Sequence, residues 1–147
     1  SDGHNVAISH PEGRGLKDSM QNAFKDAKVS PSSIDYVNAH APSTPIGDAS
    51  EMKALKATFS DSQSIKVSST KALTGHGLSL SSIMEAAFCC LALKDGFVPG
   101  SANVSSPDPE IGHLHLLRET IQEQVTRVLS NSSGFGGANT SIILEKV

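Results

Sequence analysis

The sequence is short of aromatic residues, of cysteine and of any excess of basic charge, and each shortage excludes a class of protein. Aromatic residues are 4% of the 147 residues, with no tryptophan, so small and aliphatic side chains carry the hydrophobic content. The two cysteines, Cys89 and Cys90, are adjacent, which excludes a scaffold stapled by disulfides. A net charge of −3 without a basic stripe argues against nucleic-acid binding. No apolar run approaches the ~18 residues of a membrane-spanning helix, so we expect one soluble domain without a membrane span.

Regularly spaced apolar residues predict three helices. The first lies before Pro31, with one apolar face made of Leu16, Met20, Ala23, Phe24 and Ala27. The second begins at Thr44-Pro45, a helix cap followed by a first-turn proline, and buries Ala49, Met52, Leu55 and Phe59. The third covers about residues 78–93 and is stopped by Asp95-Gly96; one of its faces holds Leu80, Ile83, Met84, Ala87 and Leu91. This third helix is apolar on most sides, which predicts a central, buried position.

Four apolar segments between the helices predict strands, at residues 34–38, 65–69, 125–131 and 140–147. The last two flank the sequence Gly134-Phe135-Gly136-Gly137, a turn with glycines where a positive φ is needed. The alternation of strands and helices predicts an α/β fold: a mixed sheet flanked by helices and ending in a hairpin.

Polar residues cluster where the predicted strands end. They are Asn38 and His40, then Lys71 and His76, then Ser130 and Asn131. A single histidine or lysine at such a position is most often structural, but ligands bind at the carboxyl ends of strands in open α/β sheets. Imidazole N–H groups, an ammonium group and a backbone N–H together stabilise negative charge that develops on a carbonyl oxygen. A zinc site is a weaker interpretation, since the two histidines lack the close spacing of local ligand pairs.

No activated nucleophile accompanies these groups. Cys90 is in phase with Ile83, which predicts core packing, and Cys89 belongs to the same apolar stretch. No serine stands in a nucleophile elbow. The residues therefore stabilise charge but do not supply an attacking group.

Three ordered blocks resemble the signature blocks of the β-ketoacyl-acyl carrier protein (ACP) synthases, the condensing enzymes of fatty-acid and polyketide synthesis. The blocks are VNAHAPSTPIGD, VSSTKALTGH and SNSSGFGGANTSIILE, and EAAFCCLALKDGFVPGSANV between the second and third is similar as well. The resemblance implies the thiolase-like fold and makes residues 1–147 the C-terminal half of such an enzyme. It implies an acyltransferase that condenses malonyl-ACP with an acyl thioester, with loss of carbon dioxide.

The resemblance also assigns the catalytic residues. His40 and His76 are the two histidines that assist decarboxylation and hold the enolate, and Lys71 orients and polarises them. The backbone N–H of Phe135 is one half of an oxyanion hole.

For substrate binding, the resemblance implies that Thr44 contacts the phosphopantetheine arm of the carrier protein. Ser133, Gly134 and Gly136 would also contact substrate. No permanently bound cofactor is implied beyond a structural Na⁺ or K⁺ ion that some members hold, here with Asn38, Glu85, Ser130 and Asn131.

The nucleophilic cysteine of this family lies in an N-terminal half that the sequence lacks. We therefore expect this half as a second polypeptide that covers the apolar helix at residues 78–93. Acyl carrier protein and a homodimer of the complete enzyme are the other expected partners. We expect the enzyme in the cytoplasm, or in a plastid or mitochondrion of a eukaryote.

Three departures from the family pattern support an alternative, a non-catalytic partner that sets chain length or acts as a scaffold. Pro42 replaces a threonine that contacts pantetheine, Leu80 adds bulk after the second histidine, and Ser133 replaces a gating phenylalanine. Retention of both histidines and of the lysine favours the catalytic interpretation. Thiolase-type chemistry is disfavoured because no cysteine follows Cys90.

Overall fold

The computed structural model describes residues 1–62 and 65–147. Its helices are α1 (Arg14–Ala27), α2 (Pro45–Thr58), α3 (Lys71–Thr74) and α4 (Ser81–Asp95). Its strands are β1 (Tyr36–Asn38), β2 (Lys66–Ser68), β3 (Phe97–Val98), β4 (His115–Leu116), β5 (Ile121–Gln122), β6 (Arg127–Gly134) and β7 (Ala138–Glu145). Short 3-10 segments lie at Pro31–Ser33, Leu78–Leu80, Pro109–Ile111 and Phe135–Gly137.

One mixed sheet of five strands forms the centre of the molecule, in the order β4-β2-β1-β6-β7. The first four strands in this order run parallel to one another. Strand β7 is antiparallel to β6 and pairs with all eight residues of that strand. Strands β3 and β5 form a separate two-stranded antiparallel sheet. The prediction of a mixed sheet that is flanked by helices and ends in a hairpin is confirmed.

Two hydrophobic clusters lie on opposite faces of the central sheet, because successive side chains of a strand point to opposite sides. On one face, α1 and α2 pack on Val37 and Leu129, together with Leu16, Met20, Phe24, Leu55 and Phe59. On the other face, α4 packs on Tyr36 and Val128, together with Cys89, Ala92, Leu93 and Val125. These two faces are called the α1/α2 face and the α4 face below.

The first two helices begin and end close to the predicted residues. Helix α1 buries Leu16, Met20 and Phe24 as expected. Helix α2 begins with Thr44 at the cap position and Pro45 in the first turn. Its buried residues are partly mispredicted: Ala49 and Met52 are only half-buried, whereas Ser50 and Glu51 are buried. Ser50 and Glu51 are inside because they bond backbone groups: the hydroxyl of Ser50 donates to the carbonyl of His10, and Glu51 accepts from the N–H of His40.

Helix α4 turns a different face inward from the predicted one. The residues buried on it are Ser81, Glu85, Cys89, Ala92 and Leu93. The predicted inner face is wrong for this chain, since Leu80, Ile83 and Leu91 are 55%, 64% and 44% exposed. Cys90 is also exposed and not a core residue. Helix α4 thus carries an uncovered apolar stripe, consistent with the expectation that the chain alone covers it poorly.

The hairpin differs in detail from the prediction. Strand β6 continues to Gly134, so Ser130 and Asn131 lie in the middle of a strand and not at its end. Gly136 and Gly137 have φ of 75° and 68°, the left-handed region in which glycine is favoured. Strands β3, β4 and β5 were not predicted, because two residues are too few to show an alternating pattern. Within the described residues, no helix has both the length and the apolar character needed to cross a bilayer.

Candidate functional site

The two histidines lie at the carboxyl edge of the central sheet. His40 follows the end of β1 by two residues, and His76 follows the short helix α3 that comes after β2. Their ring centroids are 5.2 Å apart with an interplanar angle of 84°, so the edge of one ring meets the face of the other. The parallel arrangement of β1 and β2 therefore brings together two residues that are 36 positions apart in the chain.

His40 is held in its neutral form. Its side chain is buried, and its pKa is lowered from the ordinary value of 6.5 to about 4, mainly by burial, with smaller contributions from the charge of Lys71 and then from His76. At neutral pH the ring therefore has one N–H to donate and carries no charge. A neutral imidazole is a hydrogen-bond donor for developing negative charge and does not protonate it fully.

The hydrogen bonds of His76 determine which ring nitrogen carries the proton. The backbone N–H of Leu78 donates to Nδ1 at 3.0 Å, and the hydroxyl of Ser81 lies 2.9 Å from the same nitrogen. Because Nδ1 accepts, the proton of the neutral ring is on Nε2. Among the described residues, Nε2 has no hydrogen-bond partner, and its proton is left for a group in the neighbouring cavity.

Lys71 and Glu85 form a buried ion pair beside the histidines. Burial raises the pKa of the Glu85 carboxyl, and its bond to Lys71 opposes this rise. The ammonium group also lowers the pKa of His40. The structure thus places Lys71 where its charge acts on His40 through space.

Glu51 is a site residue that the sequence did not point to. Its buried carboxylate accepts hydrogen bonds from the backbone N–H of His40 at 3.0 Å and of Ala41 at 2.7 Å. It also accepts one from the side-chain amide of Asn131 at 3.3 Å. Ala41 has a φ of 24° and Ser43 one of 67°, so this carboxylate stabilises a turn in an uncommon backbone conformation. Burial raises the pKa of Glu51, and the accepted hydrogen bonds oppose the rise. No local pattern signals the role, because Glu51 lies eleven residues beyond the histidine on a helix.

A cavity of about 500 Å³ opens beside the histidine pair. Besides both rings, its lining includes Pro42, Thr44, Leu78, Ser133, Gly134 and Phe135. The side chain of Phe135 is 79% exposed at the mouth of the glycine turn. Three of the four residues predicted to contact substrate therefore lie around one space with the two histidines.

Gly136 is the exception. It is not part of the cavity lining, and its N–H donates to the carbonyl of Val6 at 2.8 Å. Its neighbour Gly137 accepts from the N–H of Asp2 at 2.9 Å. Asp2 also accepts from Asn139 at 3.2 Å, and Asn139 accepts from the hydroxyl of Ser133 at 2.9 Å. The N-terminal segment thus lies across the glycine turn and bonds the backbone groups of Gly136 and Gly137.

The residues predicted to hold a monovalent cation are divided between the two faces of the sheet. Asn38 and Ser130 are register partners in β1 and β6 and point to the α4 face, where Glu85 also lies. The side chain of Asn131 points to the α1/α2 face, where it bonds Glu51 and accepts from Ser141 at 2.8 Å. The four side chains therefore do not surround one ion.

Asn38, Glu85 and Ser130 share the α4 face, and two of them present oxygen atoms of the kind that bind a cation. The buried oxygens Asn38 Oδ1 and Glu85 Oε2 have no hydrogen-bond partner in the described part of the chain. Oxygen atoms of this kind are ligands that Na⁺ and other hard cations accept. For metals bound by histidine, cysteine or carboxylates, no group of three such residues is close enough together within residues 1–62 and 65–147.

Neither cysteine is placed as a nucleophile. Cys89 is on the buried side of α4, and burial raises the pKa of its thiol to about 12. Cys90 is on the exposed side of α4, and neither residue lines the cavity beside the histidines. The site is therefore one of hydrogen-bond donors and charge, without a thiolate of its own in the described residues.

Comparison with known proteins places this arrangement in a family. The model of the family described as "Beta-ketoacyl synthase, C-terminal domain" matches residues 1–115. Over 146 residues the chain is 40% identical to 3-oxoacyl-(acyl-carrier-protein) synthase 2 of Staphylococcus aureus strain COL, which is 99% of this chain and 35% of that protein. The chain thus spans about a third of the length of the curated relatives it matches.

Solved structures have the same fold. One of them is a type II PKS acyl-carrier protein in complex with its ketosynthase bound to the hexaketide. It matches with a TM-score of 0.93 and 28% identity, over 99% of this chain and 36% of the matched chain. A ketosynthase in complex with its chain length factor, from Xenorhabdus doucetiae, matches with a TM-score of 0.92 and 34% identity, over 100% and 37%. The chain therefore belongs to the β-ketoacyl synthase family and has the thiolase-like fold of its C-terminal domain.

Proposed function

We propose that this chain supplies the histidine pair of a β-ketoacyl-ACP synthase, an acyltransferase that condenses malonyl-ACP with an acyl thioester in fatty-acid or polyketide synthesis. The observation that carries the proposal is the edge-to-face contact of His40 and His76 at 5.2 Å, beside a cavity and the Lys71–Glu85 pair. The relatives, a 3-oxoacyl-ACP synthase and ketosynthases, support it.

In the first step the histidines act on the malonyl thioester. The bond between its carboxylate carbon and C2 breaks, carbon dioxide leaves, and the electron pair forms an enolate whose negative charge is on the thioester oxygen. The N–H of neutral His40 and the Nε2–H of His76 donate to that oxygen. Donors of this kind, fixed before the reaction, are typically worth 10²–10³ in rate each.

In the second step the enolate carbon attacks the carbonyl of an acyl group carried on a cysteine. The new carbon–carbon bond leaves a tetrahedral oxyanion, to which the backbone N–H of Phe135 donates. Collapse of this intermediate releases the cysteine thiolate and the β-ketoacyl product on the carrier protein. The glycine turn is held for this task by the N-terminal segment across it.

The cysteine must come from a region outside this chain. We propose that the N-terminal half of the enzyme, which corresponds to the rest of the length of the relatives, packs on the apolar stripe of α4 and brings the thiolate to the histidines. Leu80, Ile83 and Leu91 are the exposed apolar residues of that stripe. An exposed patch of this kind is typical of a protein interface.

The carrier protein delivers its acyl groups on a phosphopantetheine arm. The arm would enter the cavity of about 500 Å³ beside the histidines, and Thr44 lies in the lining of this cavity at the start of α2. One matched structure is a ketosynthase in complex with an acyl-carrier protein, which supports this partner. A monovalent cation held by Asn38, Glu85 and Ser130 would fix α4 against the sheet.

The test is decarboxylation of malonyl-ACP by the complete enzyme that contains this chain. We expect His40→Ala and His76→Ala each to lower kcat by about 10²–10³, because each removes one donor to the enolate oxygen. The matched control is His115→Ala, which changes an exposed histidine on β4 and is expected to retain the parental rate. Equal rates for the parent and both site variants would refute the catalytic role and favour the non-catalytic chain-length partner.

A further inference from the structure

Ser81 lies in contact with one of the two histidines and is not part of any motif that pointed to the site. It is the first residue of α4, is 2% exposed, and its Oγ lies 2.9 Å from Nδ1 of His76. It does not line the cavity beside the histidine pair. Any effect on the reaction therefore passes through the ring of His76.

The direction of this hydrogen bond follows from the neighbouring one. The backbone N–H of Leu78 donates to the same Nδ1 at 3.0 Å, so that nitrogen presents its lone pair and has no proton to give. The hydroxyl of Ser81 must then be the donor. Two donors directed at Nδ1 favour the tautomer with the proton on Nε2 and disfavour the alternative, in which an N–H would face both of them.

The two donors are held in different ways. Leu78 is a non-glycine residue with a φ of 52° in a turn, and its side chain is 72% exposed. Ser81 is anchored on a helix, and Glu85 lies one turn further along on the same buried face. One stripe of α4 therefore holds His76 through Ser81 and Lys71 through Glu85.

We infer that Ser81 is a positioning residue: its hydroxyl fixes the orientation of the His76 ring and keeps the proton on Nε2, directed at substrate. The inference rests on the function proposed above. Loss of the hydroxyl leaves Leu78 as the one donor to Nδ1 in the described part of the chain, so the Nε2–H tautomer loses one of the two hydrogen bonds that favour it and the Nδ1–H tautomer becomes more populated. The reaction proceeds only from the Nε2–H form, because that proton binds the enolate oxygen.

The experiment compares the complete enzyme with its Ser81→Ala and Ser81→Thr variants after ¹⁵N labelling of histidine. We expect the ¹⁵N resonances of His76 in Ser81→Ala to move towards the values of a tautomer mixture. The kcat for malonyl-ACP decarboxylation falls about 3- to 10-fold, as expected for one lost hydrogen bond, while KM is unchanged. Ser81→Thr retains a hydroxyl and is expected to restore both signals. Ser105→Ala, at an exposed serine in a distant loop, is the control without effect.

Unchanged ¹⁵N resonances in Ser81→Ala would overturn the inference, and so would a parental kcat in a variant whose resonances have moved. If Ser81→Ala fails to fold, Ser81→Cys replaces it, because a thiol of similar size is a weaker donor and a smaller shift in the same direction is expected. The resonances decide about Ser81 even if the parent does not decarboxylate malonyl-ACP. That last result would refute the proposed function alone.

Discussion

Helices α1 and α4 pack on opposite faces of the same sheet, but α1 buries its large apolar residues whereas α4 leaves several of them exposed. Helix α1 turns Leu16, Met20 and Phe24 inward and leaves polar residues outside, as expected for a helix on the surface of a domain. Helix α4 turns Ser81 and Glu85 inward, and apolar residues such as Ile83 face outward.

This difference between the two helices reflects what is buried on the two faces of the sheet. On the α1/α2 face, burial of aliphatic and aromatic side chains closes a core. On the α4 face, the buried groups at the amino end of the helix are contacts to Lys71 and His76, and the apolar stripe faces away from the sheet. Hydrophobic burial alone therefore packs α1 on the sheet, whereas α4 combines apolar burial in its carboxyl-terminal half with the polar contacts of Ser81 and Glu85 at its amino end.

The largest effect is expected at the ion pair on the α4 face. Lys71→Ala leaves the buried Glu85 carboxylate without its partner and should lower the free energy of unfolding by about 3–5 kcal/mol. The double variant Lys71→Met, Glu85→Leu replaces both charges by apolar side chains of similar size and should be more stable than the single variant. Chemical denaturation of the three proteins measures this. A single variant as stable as the parent would mean that the pair does not hold α4 in place.

A matched pair of apolar truncations compares the two helices directly. Met20→Ala on α1 empties a fully buried position and should cost about 2–5 kcal/mol. Ile83→Ala on α4 removes a side chain that is 64% exposed in this chain. If the N-terminal half covers α4 in the complete enzyme, Ile83→Ala should cost a similar amount there.

Thermal or urea unfolding of the two variants in the complete enzyme decides this point. A cost of Ile83→Ala within about 0.5 kcal/mol, the range of ordinary surface substitutions, would mean that nothing covers the stripe. Met20→Ala serves as the internal standard, since its environment lies wholly within this chain.

The elements that could be predicted from sequence are those with a strong local period or a clear stop signal. The face of α1, the Thr44-Pro45 start of α2 and the Gly96 end of α4 follow from apolar spacing, capping and glycine. Gly96 has a φ of 73° and donates its N–H to the carbonyl of Ala92, as a helix end requires. These features depend on residues within a few positions of one another.

What the sequence did not predict depends on contacts between distant segments. Glu51 is buried because it accepts hydrogen bonds from N–H groups of the turn after β1. The amino end of α4 lies inward through the contacts of Ser81 with His76 and of Glu85 with Lys71, which the apolar period of the helix does not signal. The opposite orientations of Ser130 and Asn131 follow from a strand that extends past both. The apolar period of α4 is a true signal, but it marks a surface for another polypeptide in our proposal.

The smallest of these effects is a pH dependence that originates at His40. The pKa of His40 is about 4 in the folded protein and has its ordinary value of 6.5 in the unfolded chain. Between pH 4 and pH 6.5 the unfolded chain therefore binds more protons than the folded protein. Stability contributed by His40 is present above pH 6.5 and is lost as the pH falls towards 4, by about 2 kcal/mol at pH 5. Glu51 and Glu85 act in the opposite direction, because their pKa values are raised on folding and they take up protons more readily in the folded state.

The difference between the parent and His40→Gln in the complete enzyme isolates the histidine, since both proteins share these carboxyls. Free energies of unfolding at pH 7 and pH 5 measure it: the parent should lose about 2 kcal/mol more than the variant, and parallel pH profiles would mean that His40 is not the neutral donor that the site requires.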